Sequence, residues 1–93
     1  MDREQYLNLL EPAIATVIKK SEDYRAGAVT LGQYFPFGDK SYIQMLHVKT
    51  LRLVSLADNP KPNFESVEDT VLDMINYGVF YLDYLRKKYN EQL

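Results

Sequence analysis

Two stretches that regular structure does not tolerate, GAVTLGQYFPFG at 27–38 and DNPKPN at 58–63, cut the 93-residue chain into three pieces. Within each piece the apolar residues recur every three to four positions, the period of a helix face and not of a strand. The chain is therefore expected to be all-α. In the first piece, 2–25, the recurrence is Leu7, Leu10, Ile14, Val17, Ile18 and Tyr24. Pro12 falls inside it, and because proline fits a first turn but breaks a helix interior, a short lead-in followed by a helix from about residue 11 is expected, with one kinked helix as the alternative.

The second piece reads as a helix from 39 to about 57, with Asp39 and Ser41 as N-caps. Its expected core stripe is Ile43, Leu46, His47, Thr50, Leu53, Val54 and Ala57. Met45, Val48, Leu51 and Leu56 lie on its other faces, so the helix is apolar nearly all round and should be buried on several sides. Ser66, with Asp69 three residues on, caps a third helix running to about residue 89, a span of roughly 35 Å. The expected architecture is a single domain, 1–93, forming a small helical bundle of three main helices. Three helices leave the outer face of an all-apolar helix wet, so a homo-oligomer is expected to complete the bundle. Gly78 fits that, because a mid-helix glycine costs about 1 kcal/mol against alanine and is tolerated where something packs close.

Composition removes several function classes. The formal net charge is −2, from 11 basic and 13 acidic residues, which provides no field to hold duplex nucleic acid. With no cysteine and one histidine, thiolate and histidine metal sites are excluded, and any metal would be bound through oxygen. No apolar run approaches the roughly 18 residues of a membrane span and the N-terminus is polar, so no membrane partner and a cytoplasmic location are expected. Eight tyrosines and four phenylalanines are too many rings for one small core, which leaves some for an interface or a ligand.

The residues that could carry chemistry fall into two groups. Asp69 and Asp73, at i and i+4, share one face of the third helix with Glu65 at its entrance and Asn76 and Tyr77 a turn beyond. Two aspartates at that spacing repel, so something must offset them. Mg²⁺ or Mn²⁺ held by Glu65, Asp69 and Asp73 would do so. So would Lys49 and Arg52, spaced i and i+3 on the second helix, either as a salt-bridge network or with a phosphate between the cations and a carboxylate-held metal. The second group is Lys20, Asp23 and Tyr24, followed by the ring-bearing loop with Tyr34, Phe35 and Phe37. Those rings either stack on a base or plug the end of the bundle.

Taken in order, KxxDY (Lys20, Asp23, Tyr24), KxxRL (Lys49, Arg52, Leu53) and ESxxDxxxDxxNY (Glu65, Ser66, Asp69, Asp73, Asn76, Tyr77) resemble the all-α, phage and bacterial family called nucleotide modification associated domain, over about 20–81. More distantly the chain is similar to MazG-like nucleoside triphosphate pyrophosphohydrolases, helical oligomers that hold Mg²⁺ with acidic residues on two helices. Here the first helix offers only the adjacent pair Glu22 and Asp23, half of such a site, and Arg25 follows Asp-Tyr where the first family often has glycine. The resemblance implies an all-helical, often phage-encoded domain associated with nucleotide metabolism or modified-nucleotide pathways. Together with the residues above, it leads to the expectation of a small, phage-encoded binder of a nucleotide or nucleotide-derived signal, which from its incomplete metal site would act by sequestering a host immune signal. In that reading Lys20, Lys49 and Arg52 read phosphate, and the rings read a base. Mg²⁺-dependent nucleotide pyrophosphohydrolysis and a structural or protein-inhibiting module are the alternatives.

Overall fold

Pro12 does not divide the first piece. The computed structural model describes the backbone of residues 1–26, 31–59 and 64–92, and the side chains of 1–22, 32–59 and 66–90. In it a single helix, α1, runs Arg3–Ala26 with Pro12 inside. The lead-in and restart are thus absent, and the alternative of one helix through Pro12 holds. Its start is fixed by a reciprocal capping box: the Asp2 N–H donates to Gln5 Oε1 and the Gln5 N–H donates to Asp2 Oδ1, both at 2.9 Å. Past the proline, the Thr16 hydroxyl donates to the Pro12 carbonyl at 3.0 Å.

Among the described residues there are three α-helices and no strand, as the all-α expectation requires. The helices fall into two compact units, Met1–Pro36 and Phe37–Leu93. In the first, α1 has Ala13 buried and Leu10, Thr16, Val17 and Ser21 half-buried, whereas Leu7, Ile14 and Ile18 of the expected stripe are exposed. A 3-10 turn, Leu31–Tyr34, gives part of the expected loop regular structure, and the Phe35 N–H closes it on the Gly32 carbonyl at 3.1 Å.

The second unit is an antiparallel helix pair, α2 (Asp39–Ala57) and α3 (Phe64–Gln92). Partner numbers fall along α3 as they rise along α2: Asp39 meets Lys88 and Tyr81, Tyr42 meets Tyr81, Lys49 meets Asp73, and Arg52 meets Thr70. Neither Asp39 nor Ser41 is the N-cap of α2. Gly38 holds that place at φ 61°, ψ −135°, a backbone setting that only glycine adopts readily. Ser41 Oγ instead accepts the Phe37 N–H at 2.8 Å. Space makes the same demand, since a Cβ on Gly38 would sit 2.7 Å from Tyr84 Oη. At the other end α2 stops at Ala57 as expected, with the Asp58 N–H bonded to the Val54 carbonyl at 3.2 Å. The third helix begins at Phe64, so Ser66 lies inside its first turn and is not its cap.

The face of α2 that packs is rotated from the expected stripe. Tyr42 is buried and Met45, Leu46, Lys49, Leu53 and Leu56 are half-buried, whereas Ile43, His47, Thr50, Val54 and Ala57 are exposed. Among the described residues, burial of α2 on several sides is not met either, with Leu51 and Val54 each 55% exposed. Tyr42 sets the rotation. Its ring stacks on Tyr81 at 5.3 Å and 7° and leans on Tyr84 at 5.1 Å, and each such pair contributes about 0.5–1.5 kcal/mol beyond area burial. Turning Ile43 inward would forfeit both contacts. Gly38→Ala is expected to destabilise the fold by about 1–2 kcal/mol, from the left-handed backbone alone. Thermal melts followed by circular dichroism would show this as a lowered midpoint, and an unchanged midpoint would contradict the Gly38 assignment.

Candidate functional site

Residues of α2 and α3 meet in two polar clusters separated by the packed apolar positions between them. The first contains the cations singled out from sequence. Lys49 Nζ lies 3.1 Å from Asp73 Oδ2, with the two side chains 19% and 31% exposed. Arg52 does not pair with an aspartate: its Nε donates to Thr70 Oγ1 at 3.1 Å. Thr70 is 2% exposed, and its hydroxyl proton goes to the Ser66 carbonyl at 2.6 Å. With that proton committed, the hydroxyl oxygen presents only lone pairs, which is why it accepts from the guanidinium. The guanidinium is pinned through Nε, its two Nη groups make no ion pair with a described carboxylate, and Arg52 is exposed.

The remaining sequence candidates are dispersed. Asp69 is exposed and in no ion pair among the described residues, and Asn76 is buried at 9% exposure. Tyr77 meets Phe80 edge to face, with centroids 6.1 Å apart. The side chains of Asp23, Tyr24 and Glu65 lie outside the described residues, and with Glu65 goes part of the expected metal set. Among the described residues no three acidic or histidine side chains are gathered to hold a metal ion. Lys20 is exposed on α1. The aromatic loop divides: Phe35 is buried at 8% exposure, which takes its face away from an incoming base, whereas Tyr34 and Phe37 are exposed at 58% and 78%. His47, expected in the core, is exposed.

The second cluster went unread in the sequence. Asp39 Oδ1 accepts the Tyr81 hydroxyl at 3.0 Å and Oδ2 accepts Lys88 Nζ at 2.9 Å, and Lys88 sits 6.0 Å from the centre of the Tyr84 ring. The Lys88 hydrogen bond, followed by that of Tyr81, holds the Asp39 carboxyl below its usual value. The same two bonds raise Lys88 and Tyr81, since each favours the protonated donor. Burial raises Tyr42. Signals for part of the site were present: counting back from Tyr77 by helical steps puts Thr70 on the Asp73 face, and counting from Lys49 puts Tyr42 on the Lys49 face. Nothing in the sequence links Asp39 to Lys88, 49 positions away.

Asp39 is depressed on folding, so its contribution is present above the unfolded aspartate value of about 3.9 and is lost as pH falls through the lower folded value. Lys88 and Tyr81 are raised, so theirs are present below about 10 and are lost as pH climbs through the folded values. Wild-type protein should therefore exceed Asp39→Asn in urea stability at pH 7, and the gap should close as pH is taken below that aspartate value. A gap that persists in acid would contradict the charge-assisted assignment. At the other cluster, a double-mutant cycle of Lys49→Met and Asp73→Asn should return a coupling of about 1 kcal/mol, as for a partly screened pair. A coupling of zero would mean that the pair contributes nothing to the fold. No protein-family model, no curated protein and no solved structure matches this chain.

Proposed function

We propose that the Arg52 end of the α2–α3 seam binds the phosphate of a nucleotide or nucleotide-derived small molecule. The observation that carries this reading is the setting of Arg52. It is exposed, oriented through Nε by a buried threonine hydroxyl, and has no carboxylate partner among the described residues. A guanidinium held by one edge keeps its Nη donors for a second acceptor, and paired phosphate oxygens match the spacing of those donors. Lys49, three residues back on the same helix face, is anchored by Asp73 and adds a cation that remains in place when the ligand leaves.

The pairing of Lys49 with Asp73, which commits a carboxylate of the acidic ladder to a cation, fits a binder better than a metal-dependent hydrolase. The family resemblance in the KxxRL and ESxxDxxxDxxNY segments supports a phage-encoded, nucleotide-associated protein, and the role proposed for such a binder is to sequester a nucleotide signal of the host's immune response. Calorimetry against a panel of linear and cyclic nucleotides tests the reading. Binding is expected, Arg52→Ala should weaken it by at least about tenfold, the usual worth of a lost charge-assisted bond, and intact ligand should be recovered after heat denaturation. Heat with no nucleotide would leave the structural or protein-inhibiting alternative. Chromatographic loss of the input in the presence of Mg²⁺ would convert the binder into a hydrolase.

A further inference from the structure

We infer that the outward face of α3 is a homodimer interface, in which a second copy of the chain lies antiparallel along it and the two helices cross at Gly78. The face directed away from α2 is expected to be polar, because α3 already buries its other side on Tyr42, Lys49 and Arg52. It is apolar instead. Val71, Ile75, Gly78, Leu82 and Tyr89 follow at steps of four, three, four and seven, the repeat of a coiled-coil seam and not of a solvated helix surface. Val71, Leu82 and Tyr89 are exposed, and a Cβ built on Gly78 meets nothing within 4 Å. Among the described residues nothing packs against this mid-helix glycine, and in a helix–helix crossing a glycine lets two backbones approach.

Charge selects the occupant and its direction. One end of this face carries Glu68 and the other Arg86, both exposed. Glu68 lies ten residues before Gly78 and Arg86 eight after, so antiparallel pairing about Gly78 brings them within about one helical turn of each other, twice by symmetry. A parallel pair would set like charges together and align the helix dipoles. The face is thus complementary to itself when reversed, as an isologous dimer requires. This interface shares no residue with the proposed phosphate site, so either can fail without the other.

Sedimentation velocity of the full chain from low-micromolar to near-millimolar concentration should show a reversible monomer–dimer equilibrium. Arg86→Glu should raise the dissociation constant by about tenfold, the effect of two rim pairs, and adding Glu68→Arg should restore it. Gly78→Ala should raise the thermal midpoint of the dilute monomer through helix propensity, yet weaken the dimer. Leu82→Glu should give a monomer with unchanged circular dichroism. A monomer at every concentration would overturn the proposal, as would a dimer indifferent to Leu82→Glu or a charge exchange that fails to restore association.

Discussion

The unit formed by α2 and α3 depends on the rotational setting of one helix against the other, and Tyr42 fixes that setting. Its ring is received between Tyr81 and Tyr84, and the nearby polar triad of Asp39, Tyr81 and Lys88 closes the same end with charge-assisted bonds. Once Tyr42 points inward, helical geometry leaves no choice at the following turns: Met45, Lys49, Leu53 and Leu56 must follow it. A lysine is thereby carried into the packed face, where it needs an anion, and Asp73 is the residue that antiparallel register places opposite. The Lys49–Asp73 pair is in this sense a consequence of a stacking contact two helical turns away.

The same register explains why Arg52 is different. One turn beyond Lys49 the opposing residue is Thr70, whose hydroxyl can orient a guanidinium but cannot neutralise it. The seam therefore grades from an aromatic end closed by the Asp39–Lys88 pair, through a second compensated ion pair, to a cation with donor capacity left over. That gradient, more than the acidic ladder on α3, distinguishes this helix pair from one held only by packing. It also recasts the aspartates: Asp73 positions a lysine, and Asp69 stands in solvent.

Helix content and most boundaries were legible because Gly27, Gly32, Gly38 and the two prolines at 60 and 62 punctuate the chain locally. An acidic face of α3 opposite Lys49 and Arg52 was legible too, since cations on so apolar a helix need anions, but which cation meets Asp73 was not: Lys49 pairs with it and Arg52 turns to Thr70. The rotation of α2 was not, because a helix apolar nearly all round gives no moment by which to orient it, and the stripe through Ile43 and Val54 is as consistent with a core face as the one through Tyr42. Cap positions were misplaced for a related reason. Asp39 and Ser41 have ideal cap chemistry, but a glycine with positive φ immediately before them takes the cap and frees Asp39 for a bond to a residue 49 positions on. The passage of α1 through Pro12 overrides a local propensity that composition alone would have honoured.

The central claim is that Arg52, held at Nε by Thr70, is the phosphate-reading group of the seam. Nitrogen-edited NMR of the intact chain observes the arginine Nε–Hε groups directly, and titration with inorganic phosphate and then with a nucleoside triphosphate reports on that atom. The account predicts that the Arg52 Nε–Hε resonance and the Thr70 amide move together and saturably, further with the triphosphate, while the Asp39–Tyr81–Lys88 end stays still. Movement confined to other residues, or none at Arg52 with either anion, would contradict it.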